Sequence, residues 1–335
     1  MLITPHKPKS RQVWDAVSLG GSESWRRQLP VQVSDEFQQA CRRQPELAHD
    51  PDGFVFDPEL LPNLATFAGD VRRTLLGGDG FAWIKGLGSL GLSEPEQRLF
   101  YLAFGLAMGD ALTQYGRLYE IRDRGGSYKD QAIPVSMTGS STSFHTDSSA
   151  RDTLPDFVGL LCEQPSLEGG ESLVSNALRA HQVMQRQNPA ALELLYSSFV
   201  RDVVTPGVDK TRENLLRNRF PIFAPCARKE RIVFRYMRYW IEKGHAKAGE
   251  PLSEQHLAAL DLLDEILCSR DQAVSFQLEK GDILWVNNRT LAHNRTEYKD
   301  TPDNIRRLQR LWIRLRPRPQ TKPRTRKASR ATVTN

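Results

Sequence analysis

Three side chains in this sequence have the types and spacing to hold a metal ion. Phe144-His145-Thr146-Asp147 sets an imidazole and a carboxylate two positions apart, and Leu291-Ala292-His293-Asn294-Arg295 supplies a second imidazole far along the chain. In a β-strand residues i and i+2 face the same way. The spacing therefore predicts His145 and Asp147 on one strand face, with His293 brought beside them from a distant strand. Two histidines and one carboxylate, with the remaining positions open, is the ligand set of non-haem Fe(II) oxygenases. Asp147 alone would equally suit a turn or a cap; His145 two positions earlier and the small polar run Ser136-Met137-Thr138-Gly139-Ser140-Ser141-Thr142-Ser143 ahead of it favour a ligand. His6, His49, His181, His245 and His256 lie in no such context and read as ordinary core or surface groups.

Ligands so far apart in sequence need a frame that closes on itself. Short apolar or alternating stretches bounded by turn residues predict strands at 81–86, 115–121, 157–162, 172–174, 273–278, 282–286 and 308–315, with more strands between 200 and 240. Helices are expected over 34–48, 60–76, 92–108, 177–186, 189–196 and 253–267; the last has apolar Leu257, Leu260, Leu263 and Ile266 near helical spacing. The pattern predicts an α+β chain with a mainly β core, a double-sheet jelly roll decorated by helices. Residues 1–315 are expected to form one domain, helical to about 110 and barrel from about 111, followed by a basic, disordered tail over 316–335.

Composition narrows the class. Hydrophobic residues make up 39% and charged residues 26%, as in ordinary globular domains. No apolar run is long enough for a membrane span, and Met1-Leu2-Ile3-Thr4-Pro5-His6-Lys7 lacks the apolar core of a secretory signal. Cys41, Cys162, Cys226 and Cys268 form no CxxC pair, so reduced thiols in a cytoplasmic protein are expected. The net charge is +6, but Arg316, Arg318, Lys322, Arg324, Arg326, Lys327 and Arg330 fall in the tail with no acidic neighbour. The rest of the chain is thus close to neutral. Clustered Arg and Lys attract phosphates, yet no nucleic-acid motif accompanies them, and a solvated tail is the expected reading.

The motifs together resemble the taurine dioxygenase and clavaminate synthase-like Fe(II)/2-oxoglutarate-dependent oxygenases. Four ordered blocks between about Gly80 and Leu315 carry the likeness: Phe144-His145-Thr146-Asp147; Gly169-Gly170-Glu171-Ser172; Gly281-Asp282-Ile283-Leu284-Trp285-Val286-Asn287-Asn288-Arg289 leading to His293-Asn294-Arg295; and Arg306-Arg307-Leu308-Gln309-Arg310-Leu311-Trp312. The resemblance implies Fe(II) held by His145, Asp147 and His293, with 2-oxoglutarate and O2 as cosubstrates. It also implies a Ser172 hydroxyl on 2-oxoglutarate and an Arg306 clamp on its far carboxylate, which arginine grips with two parallel N–H donors. Arg310 is expected to support that clamp or to bind an anionic substrate group. Arg306, Leu308 and Arg310 share parity on the expected strand, and Arg307 faces away.

The implied activity is oxidation of an unactivated C–H bond of a small molecule, amino-acid-like or a natural-product intermediate, coupled to decarboxylation of 2-oxoglutarate to succinate and CO2. A carboxylate at 147, where halogenating relatives carry a small residue, points to hydroxylation, desaturation or ring closure. The competing readings are an oxygenase recruited to nucleic acid or protein by the tail, and a barrel that binds without catalysing. Phe234-Arg235-Tyr236-Met237-Arg238-Tyr239-Trp240 reads first as core, with pocket lining as the alternative, and the segment from Tyr115 to Lys129 is a candidate lid.

Overall fold

The computed structural model describes residues 10–20, 24–128, 133–151, 153–202, 211–225 and 232–316. The expected tail beyond Arg316, Cys226 and Lys129 lie outside the described residues. Seven strands form the larger sheet. Its order runs Arg26–Gln28, Phe81–Lys85, Ile283–Asn287, Phe157–Gln164 and Arg307–Arg314, and the last of these pairs on its far side with both Asp110–Ala111 and Tyr119–Ile121. Only the first pair is parallel; the others are antiparallel. A second antiparallel sheet has the order Ala273–Phe276, Ser172–Asn176, Leu291–Arg295.

Strand alternation sorts the large sheet into two faces. Phe157, Leu161, Ile283, Trp285, Leu311 and Ile313 pack against the helices Pro62–Gly77 and Glu94–Met108. Their neighbours Cys162, Leu284, Val286 and Leu308 turn inward, where they meet Val174, Phe276 and Leu291 of the small sheet. Two glycines permit the outer packing: a Cβ at Gly105 would overlap Leu311, and one at Gly159 would lie 2.5 Å from both Trp285 and the Tyr101 hydroxyl. Trp285 takes the space, with Tyr101 and Phe104 ring centroids 5.5 and 6.0 Å away. The outside of the small sheet is covered by Ala177–Gln187, Pro189–Leu194 and Glu254–Cys268, which bury Ala180, Met184, Leu260, Leu263 and Leu267 beside Ala292.

Helix ends follow the local chemistry. Ser93 and Glu96 make a reciprocal capping box ahead of Glu94–Met108. Asn176 caps Ala177–Gln187 by accepting from Arg179 N, so the Ser172–Asn176 strand passes directly into a helix. The stretch from 200 to 240 departs from expectation in part. The expected strands are there as short pieces, the end of Phe199–Val200 with Arg219–Phe220, Phe223–Pro225 and Ile232–Phe234, but a helix stands at Arg212–Arg217 and a second, Arg238–Ala248, begins inside the aromatic run. Aromatic residues raise strand propensity, but here Trp240 and Ile241 are the buried side of a helix closed by Gly249 at φ 71°. Among the described residues Cys41, Cys162 and Cys268 are free, and no helix is long and apolar enough to cross a membrane.

Candidate metal centre and active site

The metal motif does not sit on a strand as its spacing predicts. Only His145 is sheet-like, in an isolated antiparallel bridge to His293 that extends the small sheet by one position. The two histidines exchange both backbone bonds, His145 N to His293 O and His293 N to His145 O, each 3.0 Å. Residues paired in this way project their side chains to the same face, and the ring centroids lie 4.4 Å apart. Thr146 then crosses to the other side, its N–H donating to Tyr236 O at 2.8 Å while its hydroxyl accepts from Tyr236 N at 3.0 Å. Asp147 opens a turn, and Ser148 follows at φ 56°, a left-handed conformation unusual for a residue with a Cβ.

Asn288, fully buried, fixes that turn. Its amide oxygen accepts from Asp147 N at 2.8 Å, and its Nδ2 donates to Asp147 O at 3.1 Å and Pro155 O at 3.2 Å. Asp147 Oδ1 consequently lies 3.7 Å from His145 Nε2 and 3.6 Å from His293 Nε2. The three ligand atoms all fall within 4.8 Å of one another. The other carboxylate oxygen, Oδ2, accepts from Trp312 Nε1 at 2.6 Å and faces Arg310 Nη1 at 3.3 Å. One oxygen is thus held by the protein and the other is presented to the two imidazoles.

The ionisation states suit a divalent cation. Burial, then the charge of His293, lowers His145 to about 4, which keeps its imidazole neutral. Its Nδ1 lies 2.8 Å from Ser143 O, which leaves the Nε2 lone pair facing Asp147. Burial alone would raise Asp147, but Arg310 and His293 outweigh it and hold the carboxyl well below its usual range. A neutral His145 and an ionised Asp147 are the forms that ligate Fe(II).

The cosubstrate clamp is tested by an orphaned donor. Arg306 is buried, its Nη2 is 3.5 Å from Gly170 O, and its Nη1 has no partner. Burial pulls its guanidinium below the ordinary arginine value. A buried, unpaired N–H on a cation is costly to a folded chain, and a ligand carboxylate relieves both defects. The Tyr298 ring lies 4.8 Å from the Arg306 guanidinium and 4.6 Å from that of Arg295. Arg295 in turn donates to the carbonyls of Thr138, Gly139 and Ser140, pinning the segment that leads into the metal motif.

Arg306, Leu308 and Arg310 line the same cavity as Ser172 and the three ligand residues; the cavity holds about 180 Å³. Arg307 faces the opposite way, with Nε 2.8 Å from Glu163 and Nη2 2.7 Å from Glu94. The strand carries a bulge between Arg307 and Leu308. Of the aromatic run, Phe234 and Tyr236 are core while Met237 and Trp240 reach the cavity. Tyr115 and Ile121 from the expected lid also line it. Sequence reasoning gave no role to Asn288 or Trp312. Trp312 had a usable signal, since it shares parity with Arg310 on the same strand.

Comparison with known proteins agrees with this geometry. The sequence profile of the taurine catabolism dioxygenase TauD, TfdA family matches residues 48–312. FR-33289 synthase of Streptomyces rubellomurinus is 29% identical over 249 residues, 71% of this chain and 70% of that one. Human gamma-butyrobetaine dioxygenase is 24% identical over 198 residues, 59% of this chain but only 49% of its own length. Among solved structures, asparagine oxygenase in complex with Fe(II), 2S,3S-3-hydroxyasparagine and succinate superposes with a TM-score of 0.63 at 18% identity, covering 86% of this chain and 93% of that one. At that identity the likeness is one of fold.

Proposed function

The chain belongs to the TauD/TfdA family of iron- and 2-oxoglutarate-dependent dioxygenases, and on that premise we propose that it oxidises an unactivated C–H bond of a small molecule. His145 Nε2, His293 Nε2 and Asp147 Oδ1 would hold Fe(II); Arg306 would hold the far carboxylate of 2-oxoglutarate, and the Ser172 hydroxyl would contact the same cosubstrate. The observation that carries the reading is the convergence of those three atoms beside a buried guanidinium with an unused N–H. Two sheets facing across the centre, with the family profile covering most of the chain, support a single jelly-roll oxygenase domain over 1–315.

Fe(II) bound there with 2-oxoglutarate and O2 supplies the oxidising power, the cosubstrate leaving as succinate and CO2. The chain's own groups prepare that chemistry. Trp312 and Arg310 occupy Asp147 Oδ2 and so hold the carboxylate to a single ligating oxygen. Arg310 serves the metal ligand by this contact. Leu160, Leu308, Met237 and Trp240 supply apolar wall against which a C–H group can lie away from water. With a carboxylate at 147 the reaction is hydroxylation, desaturation or ring closure. An amino-acid-like substrate or a natural-product intermediate is the class favoured, in keeping with an asparagine oxygenase among the structures of like fold.

Adding Fe(II) and 2-oxoglutarate without oxygen is expected to give the weak visible charge-transfer band of such complexes, and His293→Ala is expected to lose it. No band in the native chain, or an undiminished band in the variant, overturns the assignment.

A further inference from the structure

Arginines are concentrated around the cavity, and most are already committed. Arg310 faces Asp147, Arg295 is spent on three backbone carbonyls, and Arg306 is the proposed cosubstrate clamp. Arg151 is different. It lines the cavity, and among the described residues its guanidinium has no carboxylate or carbonyl partner. Only its backbone is engaged, its N–H donating to Ser148 O at 3.2 Å and its carbonyl accepting from Arg235 Nη1 at 3.1 Å.

The turn that presents Arg151 is built, not loose. It begins at Asp147, whose backbone is held on both sides by buried Asn288. Ser148 takes the left-handed conformation, and its hydroxyl donates to Thr153 O at 2.9 Å. Strained residues persist where surrounding contacts over-determine them, and they cluster at ligand sites. The turn therefore ties the direction of Arg151 to the position of the metal ligand four residues before it.

The rest of the wall has matching chemistry. Asp202 is the only other acidic side chain on the cavity among the described residues, and Lys247 Nζ holds it at 2.6 Å. The uncommitted charge is thus positive. Ser149, on the same turn, lines the cavity with a hydroxyl. Asn294 Oδ1 is taken by Thr142 Oγ1 and Arg295 N, each at 2.6 Å, which leaves its amide N–H groups as donors. Donors and a cation without an acceptor are the complement of an oxyanion.

We propose that Arg151 is a substrate-recognition residue, and that the substrate carries a carboxylate, phosphate or phosphonate group that docks on it. The inference rests on the proposed function, since it takes Arg306 as occupied by 2-oxoglutarate. The docked acid is the handle by which the turn after Asp147 sets the distance from the reacting carbon to the iron. Specificity is then read out by the length of the linker between acidic group and C–H bond.

The test uses protein loaded anaerobically with Fe(II) and saturating 2-oxoglutarate. It is titrated with acetate and with methylphosphonate, and in parallel with the neutral acetamide and dimethyl methylphosphonate, binding being followed by the visible band and by the change in tryptophan fluorescence, to which the cavity residues Trp240 and Trp312 contribute. Saturable binding of at least one acid is expected, with none by the neutral pair; which acid binds tells carboxylate from phosphonate. Arg151→Gln is expected to weaken that binding at least about tenfold, and Arg151→Lys to restore most of it. The 2-oxoglutarate affinity of each variant, read from the same band, shows that the fold is retained. Equal binding by Arg151→Gln, equal binding of the neutral compounds, or no binding of either acid overturns the proposal. Absence of the band before any acid is added is a separate failure, that of the proposed function.

Discussion

Replacing Trp312 by phenylalanine isolates one hydrogen bond at the metal centre. Trp312 Nε1 donates to Asp147 Oδ2 at 2.6 Å, and that oxygen's other neighbour is Arg310 Nη1 at 3.3 Å. Phenylalanine keeps a ring against Tyr115, now 5.4 Å between centroids, and beneath the Arg310 guanidinium, now 4.4 Å away. What is lost is a buried bond to a charged acceptor, worth about 1.5–3 kcal/mol. That energy opposes rotation of the carboxylate, so it appears as looser metal binding and not as lost ligands. At about 1.4 kcal/mol per decade the Kd for Fe(II) is expected to rise roughly tenfold to a hundredfold, the usual range for groups that orient a metal ligand. Anaerobic Fe(II) titration with saturating 2-oxoglutarate measures it, with thermal melting to verify the fold. A folded variant whose Kd stays within about twofold of the native value refutes the claim that Trp312 orients Asp147.

Gly170→Ala is expected to raise the KM for 2-oxoglutarate: the glycine sits at φ 71°, and a Cβ would overlap Ser166 Oγ and lie 3.0 Å from Arg306 Nε. The strained backbone adds a stability loss of about 1–3 kcal/mol, and an unchanged KM in steady-state assays counts against Arg306 as the clamp. Asn288→Ala strands three buried backbone groups at about 1 kcal/mol or more each, so urea unfolding should show a loss of about 3 kcal/mol or more together with weaker metal binding. His181 is buried against the Tyr196 hydroxyl at 2.7 Å, and burial lowers it to about 4. Its native pKa lies below the unfolded value near 6.5, so the unfolded chain takes up the proton first and stability falls as pH drops through that window. The loss between pH 7 and pH 5 is about 2 kcal/mol; in His181→Gln the urea midpoint should depend less on pH over that range, and an identical dependence refutes the assignment.

The parts of the architecture legible in sequence were those in which one local signal decides. Glu94–Met108 and Glu254–Cys268 carry both a cap and a helical period, and the structure ends them within two residues of expectation. The Phe157–Gln164 strand is apolar from Phe157 to Cys162 because helices cover one face and the small sheet the other. Between 200 and 240 the expected strands are present as short pieces, ending at Ile232–Phe234, but the helices were missed because burial overrode propensity: Trp240 and Ile241 are as well buried on a helix as on a strand. The His-x-Asp spacing named two side chains that do converge, but through a turn and not along a strand. Asp147 reaches His145 through a turn held by Asn288, a residue 141 positions away. Arg310 shows the same limit. Parity placed it on the cavity side, but its contact with Asp147 depends on a pairing between distant segments that no local pattern encodes.

The backbone exchange between His145 and His293 makes the metal centre a check on chain assembly. Strand side chains alternate, so a slip of one position would set Ala292 or Asn294 opposite His145 and send the His293 imidazole to the other face. A chain closed in the wrong register therefore presents at most two of the three ligands. Metal affinity and correct closure of the small sheet are one property, and a preparation that takes up a full equivalent of iron has also reported that its strands are properly paired. An ion held at the proposed site would be a clasp that fastens only when two distant segments of the chain have met at the right link.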